Sequence, residues 1–281
     1  MAEVELAAGT VEYEDTGGDG PVLVFLHGLA MDSTVWRKVV PELAGDHRCV
    51  LPTLPLGGHR RPMRPDADLT LTGMASLVEE FLAALDLREV TLVVNDWGGP
   101  QLLISDRRCE RIARVVLTSC EAFDNYPPGL PGRLVELTAK VPGGLRLMMS
   151  ALLRVRALRR APGGWGWMSK RPVPDEVMDG WFTPAARDSA IRRDLAKYAV
   201  STPGKAELLA HAERMRGFDR PVLIAWASED KIMPPEHADR LAELFTDARV
   251  VLIPDSYTLI PEDHPEPLAA SIREFVSTTA S

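Results

Sequence analysis

The chain predicts an α/β protein: a mostly parallel sheet flanked by helices, with a helical insertion. Three observations lead there. Short apolar runs, each followed by residues at helical spacing, recur through residues 21–121 and again from Pro221 onward, and such alternation builds parallel sheets covered on both faces. Between Ala122 and Asp219 the apolar runs stop and Pro- and Gly-punctuated helical stretches replace them. The run Thr91-Leu92-Val93-Val94-Asn95 ends abruptly in Asp96-Trp97-Gly98-Gly99-Pro100, the pattern of a fully buried strand turning tightly into a helix. The core is therefore expected at residues 1–121 and 220–281, with residues 122–219 as a cap over the strand ends.

Val4 to Tyr13 alternates loosely before the turn Thr16-Gly17-Gly18-Asp19-Gly20, as an edge strand or hairpin does. Pro21 to Leu26 is a buried strand running into His27-Gly28-Leu29. Asp32 to Leu43 is helical by the spacing of Val35, Trp36, Val39, Val40 and Leu43, and Cys49 to Pro52 is a short strand. A loop containing His59, Arg60 and Arg61 leads to a helix over Leu71 to Leu87. After Asp96, Leu102 to Arg108 continues the next helix, and Arg114 to Thr118 is a strand ending near Glu121. Inside the insertion the helical stretches are Pro131 to Lys140, Gly144 to Arg160, Pro174 to Trp181, Pro184 to Val200 and Lys205 to Arg216. Strands resume at Pro221 to Trp226 and Arg249 to Pro254, separated by Glu229-Asp230 and a helix over Pro235 to Leu244.

Charge excludes some classes of function. Against 40 acidic residues stand 32 basic ones, a net charge of -8, which argues against general nucleic-acid binding. No apolar run is long enough to span a bilayer, and Met1-Ala2-Glu3-Val4-Glu5 lacks the basic start and apolar core of an export signal. A cytoplasmic protein without membrane contact is expected. Cys49, Cys109 and Cys120 form no C-x-x-C pair, which predicts buried free thiols rather than a disulfide framework or a zinc site. The basic stretch from Arg154 to Arg171 reads as a solvated helix face. No metal or cofactor is expected.

Asp96 draws the chemical interest. At the end of a central parallel strand, the free N–H groups of the following helix point at whatever binds there. A carboxylate so placed fits a nucleophile elbow; taken alone, the pattern fits better an aspartate capping a helix N-terminus. A backbone N–H just after His27-Gly28 could join that of Trp97 in an oxyanion hole. His27 itself reads as structural, and Asp230 alone reads as a turn or cap residue.

In combination the pieces resemble the α/β-hydrolase family over nearly the whole chain. They are strand-His27-Gly28, the elbow Asn95-Asp96-Trp97-Gly98-Gly99, the insertion, Glu229-Asp230 and Glu262-Asp263-His264-Pro265-Glu266. The Asp-Trp-Gly-Gly elbow is similar to that of haloalkane dehalogenases and epoxide hydrolases, whose Asp attacks carbon to form an ester that a His-activated water hydrolyses. The resemblance implies Asp96 as nucleophile, the N–H groups of Leu29 and Trp97 as oxyanion hole, and the Trp97 indole as an aid to a leaving halide. It also implies Asp230 or Glu121 as the acid that orients a histidine.

Two positions depart from the family. The register set by Glu262 and Pro265 puts Thr258 where the histidine is kept, and a hydroxyl does not take a proton from water near neutral pH. Leu29 stands where dehalogenases usually place an Asn that shares the halide. His59 is the expected substitute base, ahead of a solvent-facing His264; His47, His211 and His237 read as ordinary surface residues.

Three functions stay open. One is hydrolysis of a small apolar electrophile, such as an epoxide, alkyl halide or ester, by Asp96, with His59 or a carboxylate handling water. Another is a lyase, isomerase or cyclase step with Asp96 as acid or base. The third is a silent binding protein, although a binder has no need of a carboxylate on a strained elbow. The hydrolase is the reading carried forward, with a small apolar molecule as partner; oligomeric state is not legible.

Overall fold

A computed structural model describes residues 1–279. The hairpin β1 (Ala2–Leu6) and β2 (Gly9–Asp15) opens the chain. There follow β3 (Val22–Leu26), β4 (Arg48–Pro52), β5 (Val90–Asp96), β6 (Ile112–Cys120), β7 (Val222–Ala227) and β8 (Ala248–Ile253). They form one sheet in the order β1-β2-β4-β3-β5-β6-β7-β8. The hairpin and its junction with β4 are antiparallel, and all other pairings are parallel. Every residue of β5 and β7 is buried, because helices cover both faces of the sheet there.

Between β3 and β4, where one continuous helix is expected, a 3-10 turn (Ser33–Trp36) precedes the short helix α1 (Val40–Leu43). Pro41 accounts for the break: it has no N–H to donate to the preceding turn and sits in the first turn of α1, where no such donor is needed. Around the elbow lie α2 (Leu71–Ala84) and α3 (Gln101–Ser105). Five helices separate β6 from β7: α4 (Gly129–Lys140), α5 (Gly144–Arg154), α6 (Asp175–Arg187), α7 (Ser189–Ala199) and α8 (Lys205–Arg214). Pro184 does not begin a helix as expected but sits inside α6, and the break falls at Asp188. There the Asp188 carboxylate accepts the Ala190 N–H at 2.7 Å and caps α7. The chain closes with α9 (His237–Ala242), α10 (Ile260–Asp263) and α11 (Pro265–Thr279).

Buried polar links hold the insertion to the sheet. The Trp181 indole N–H of α6 reaches Thr34 Oγ1 at 2.8 Å and Asp32 Oδ1 at 3.1 Å, in the loop after β3. Asp194 of α7 accepts the Met63 N–H at 2.8 Å and the His59 ring N–H at 3.3 Å, in the loop after β4. The basic stretch is only partly solvated, contrary to the reading above: Arg159 is buried between Asp175 and Asp179, where it anchors the start of α6. Among the described residues no helix is long and apolar enough to cross a membrane. Cys49, Cys109 and Cys120 are all free, the first and last of them buried.

Candidate active site

The register of β5 against β6 slips at its last step: Asn95 faces Thr118, whereas Asp96 faces Cys120. Asp96 takes up the slip with φ at 63°, a left-handed conformation that strains a non-glycine residue by about 1–3 kcal/mol. Its carboxylate is turned against the end of β3, where a Cβ on Gly28 would lie 1.9 Å from Asp96 Oδ2. Only glycine fits at that position. The next amide, Leu29 N–H, donates to Asp96 Oδ2 at 3.1 Å. Burial pushes the Asp96 carboxyl up to about 7; the Leu29 N–H opposes this, and the charge of Asp230 adds to it.

Glu121 emerges beside Asp96, its N–H donating to the Asp96 carbonyl at 3.0 Å. Its side-chain Oε2 accepts the Gly98 N–H at 3.2 Å and the Tyr198 hydroxyl at 3.4 Å. Burial, reinforced by the charge of Asp96, holds Glu121 well above the usual carboxylate range. Tyr198 comes from α7, and the sequence carries no signal for its arrival, since the fold alone brings α7 to this strand end.

Thr258 lies between β8 and α10. It is buried, and its hydroxyl donates to Asp230 Oδ1 at 2.8 Å. The Ile232 and Met233 N–H groups each donate to the same oxygen at 2.9 Å. Burial raises Asp230 to about 6 against those three donors. The acid therefore faces a hydroxyl that cannot carry its influence on to water. Asn95 locks this loop to the elbow through Nδ2, which donates to the Thr258 carbonyl at 2.7 Å and the Thr118 carbonyl at 3.0 Å.

Two expectations need correction. His59 is not a substitute base: it is buried, its Nδ1 accepts the Gly57 N–H at 3.3 Å and its Nε2 faces Asp194, so both ring nitrogens are engaged away from Asp96. Trp97 is only half of what the resemblance implies. Its backbone N–H donates to the Asn95 carbonyl at 2.7 Å, leaving Leu29 as the donor on the carboxylate. The Trp97 indole is fully buried with Nε1 unpartnered among the described residues, and it is absent from the cavity wall.

The other histidines are also settled by burial. His27 is structural as expected: Nδ1–H donates to the Gly28 carbonyl at 2.9 Å, Nε2 accepts the Leu54 N–H at 2.8 Å, and burial lowers it to about 4. His47 and His237 are buried rather than on the surface, the latter edge-on to Phe123. His211 is partly buried beside Ser105, and His264 is partly buried with Nε2 3.8 Å from Asp255.

Asp96, Glu121 and Leu29 open onto a cavity of about 300 Å³ whose wall is otherwise apolar, supplied by Met149 and Leu152 of α5, Trp165 and Ile232 among others. No histidine among the described residues lines it. Among the described residues no cluster of His, Cys, Asp and Glu is placed to hold a metal. An acid and an amide donor at the bottom of an apolar, largely preformed hole can bind an uncharged molecule and act on an electrophilic carbon or an acidic C–H.

A parallel sheet that presents an acid on a left-handed elbow beneath inserted helices is the architecture of the hydrolytic α/β enzymes, and comparison with known proteins reaches the same class. Residues 21–265 match the family described as the alpha/beta hydrolase fold, and the chain belongs to it. It is similar to a haloalkane dehalogenase of Mesorhizobium japonicum, 24% identical over 98% of this chain and 90% of that protein. It is also similar to a cis-3-alkyl-4-alkyloxetan-2-one decarboxylase of Xanthomonas campestris, 26% identical over 95% of this chain and 92% of the relative. Among solved structures, a haloalkane dehalogenase from Bradyrhizobium elkani superposes with a TM-score of 0.77 at 20% identity, covering 99% of this chain and 97% of that one.

Proposed function

We propose that the protein is an enzyme that processes a small apolar electrophile, an epoxide, alkyl halide or ester, by attack of the Asp96 carboxylate on carbon. One observation carries the reading: Asp96 is held at a strained φ with Leu29 N–H on one oxygen, facing a largely apolar cavity. A capping aspartate would spend its oxygens on the helix that follows it, and Asp96 accepts instead from Leu29, in the loop after β3. The relatives named above act on a haloalkane and on an oxetan-2-one, which supports a carbon electrophile without naming this chain's own.

With an epoxide or an alkyl halide, attack forms an ester bond from Asp96 to the carbon as the ring C–O bond opens or the halide leaves; with an ester, attack at the carbonyl carbon forms an anhydride with Asp96 and expels the alkoxide. The Leu29 N–H remains on the carboxyl oxygen that becomes the ester carbonyl, where charge gathers when water adds. Asp96 is only 7% exposed and its carboxylate opens onto a mostly apolar wall, and a desolvated carboxylate attacks more readily. The test is intact-protein mass after incubation with bromohexane. A hexyl adduct on the wild type that is missing from Asp96→Ala is the expected result; equal labelling of both proteins, or of neither, removes Asp96 as nucleophile.

Thr258 favours a second reading. With Asp230 bonded to a hydroxyl, the water-activating relay of the family is closed, and Asp96 at about 7 is suited to move a proton in a lyase or isomerase step. Consumption of a substrate by the wild type through a route that never labels Asp96 would select it.

A further inference from the structure

The relay through Thr258 is blocked and His59 is tied to Asp194, so a proton-handling group for Asp96 has to be found elsewhere. Few candidates touch the cavity. Asp230 is not on its wall, and its Oδ1 already takes three donors. Glu121 is on the wall with Asp96, and only its Oε2 is spoken for; Oε1 carries no hydrogen bond from the described residues and is not a sealed, unpartnered atom.

Glu121 also faces a second space. A side pocket of about 40 Å³ lies behind it, lined by the polar side chains of Gln101, Tyr126 and His211. The rest of its lining is mainly apolar, Leu71, Leu102, Phe123 and Met215 among others. A water molecule needs roughly 10–15 Å³, so the pocket has the room for water beside the Glu121 carboxyl, which is itself a polar partner for it.

We infer that Glu121 is a catalytic residue that carries the proton for both halves of the reaction, as acid when the substrate opens and as base when the ester is hydrolysed. This rests on Asp96 attacking the substrate carbon. For an epoxide, an Asp96 oxygen forms a bond to one ring carbon, the C–O bond of that carbon breaks, and the released oxygen takes the proton of Glu121. Glu121 is left as a carboxylate beside an uncharged ester. A water from the side pocket then gives one proton to Glu121 while its oxygen adds to the Asp96 ester carbonyl. The ester C–O bond breaks, the departing alkoxide takes the water's second proton, and diol, Asp96 carboxylate and protonated Glu121 result.

The electrostatics run in the direction this needs. The charge of Asp96 helps to keep Glu121 protonated before attack, and esterification removes that charge when Glu121 must become a base. An alkyl halide behaves differently. Its leaving ion takes no proton, so the attack does not itself deprotonate Glu121; hydrolysis then waits on the slower loss of that proton to water, and the ester accumulates.

The experiment compares full-length wild type, Glu121→Gln and Asp96→Ala with epoxyhexane and with bromohexane, reading diol, released bromide and intact mass. The Gln side chain retains an oxygen for the Gly98 N–H and the Tyr198 hydroxyl, and circular dichroism checks its fold. The wild type is expected to turn over epoxyhexane repeatedly without a lasting adduct, and to accumulate a hexyl adduct from bromohexane. Glu121→Gln is expected to lose about 100-fold or more of epoxide turnover while still releasing one bromide per chain and keeping the hexyl group. Glu121→Gln turning over epoxide at the wild-type rate, or wild type stably labelled by epoxide, overturns the role of Glu121 and leaves Asp96 as nucleophile. No labelling by bromohexane in any protein overturns the nucleophile itself, and the inference with it.

Discussion

Replacing Asp96 by Asn tests whether the carboxyl is held in a site that disfavours its charge. Asn keeps the shape and an oxygen for the Leu29 N–H, and removes only the ionisation. Burial raises Asp96 from its ordinary 3.8 to about 7, and at about 1.4 kcal/mol per tenfold change this makes ionisation in the native state cost about 4 kcal/mol. The sign follows from proton counts. Between about pH 4 and pH 7 the native state keeps a proton that the unfolded chain has lost, so the wild type loses stability as pH rises through that window and is level above it. Asp96→Asn lacks this loss. From Asp96 alone, its advantage over wild type is expected to be about 1–2 kcal/mol near pH 5 and about 4 kcal/mol near pH 8, and loss of the Asp96 charge, which in the wild type also raises Glu121, adds to the variant's advantage at the higher pH. Urea unfolding of both proteins at the two pH values, followed by tryptophan fluorescence, measures the gap. A gap that is the same at both would mean that Asp96 ionises without penalty, and the argument from desolvation fails.

Gly28→Ala puts a methyl 1.9 Å from Asp96 Oδ2; the carboxylate must leave the Leu29 N–H, and labelling by bromohexane should fall to background with about 1–3 kcal/mol lost in urea unfolding. Asp194→Ala strips the acceptor from the His59 ring and the Met63 N–H and should cost about 3–5 kcal/mol, visible as faster proteolysis of the insertion, while labelling of Asp96 per folded molecule stays at the wild-type level.

Much of this molecule is legible along the chain because its information is local. Seven consecutive buried residues in β5, the glycines after Asp96 and the strandless stretch between β6 and β7 all follow from periodicity and turn chemistry, which act over a few residues. The expectation that Thr258 stands where the family keeps its histidine is read from Glu262 and Pro265 and is local in the same way; its bond to Asp230 is a tertiary contact. The tertiary structure decided the rest. Whether His59 could serve as a base depended on Asp194, 135 residues away on α7, and no spacing rule links the two. The Trp97 N–H is bonded to the Asn95 carbonyl within the turn itself, a detail of local backbone geometry that no spacing rule specifies. Glu121 gained its place because β6 ends one residue out of step with β5 and because α7 folds back to set Tyr198 on one of its oxygens. A sequence specifies which side chains are able to do chemistry; which of them face the same water-poor hole is decided by packing between elements distant in the chain, where burial sets the charge each one carries.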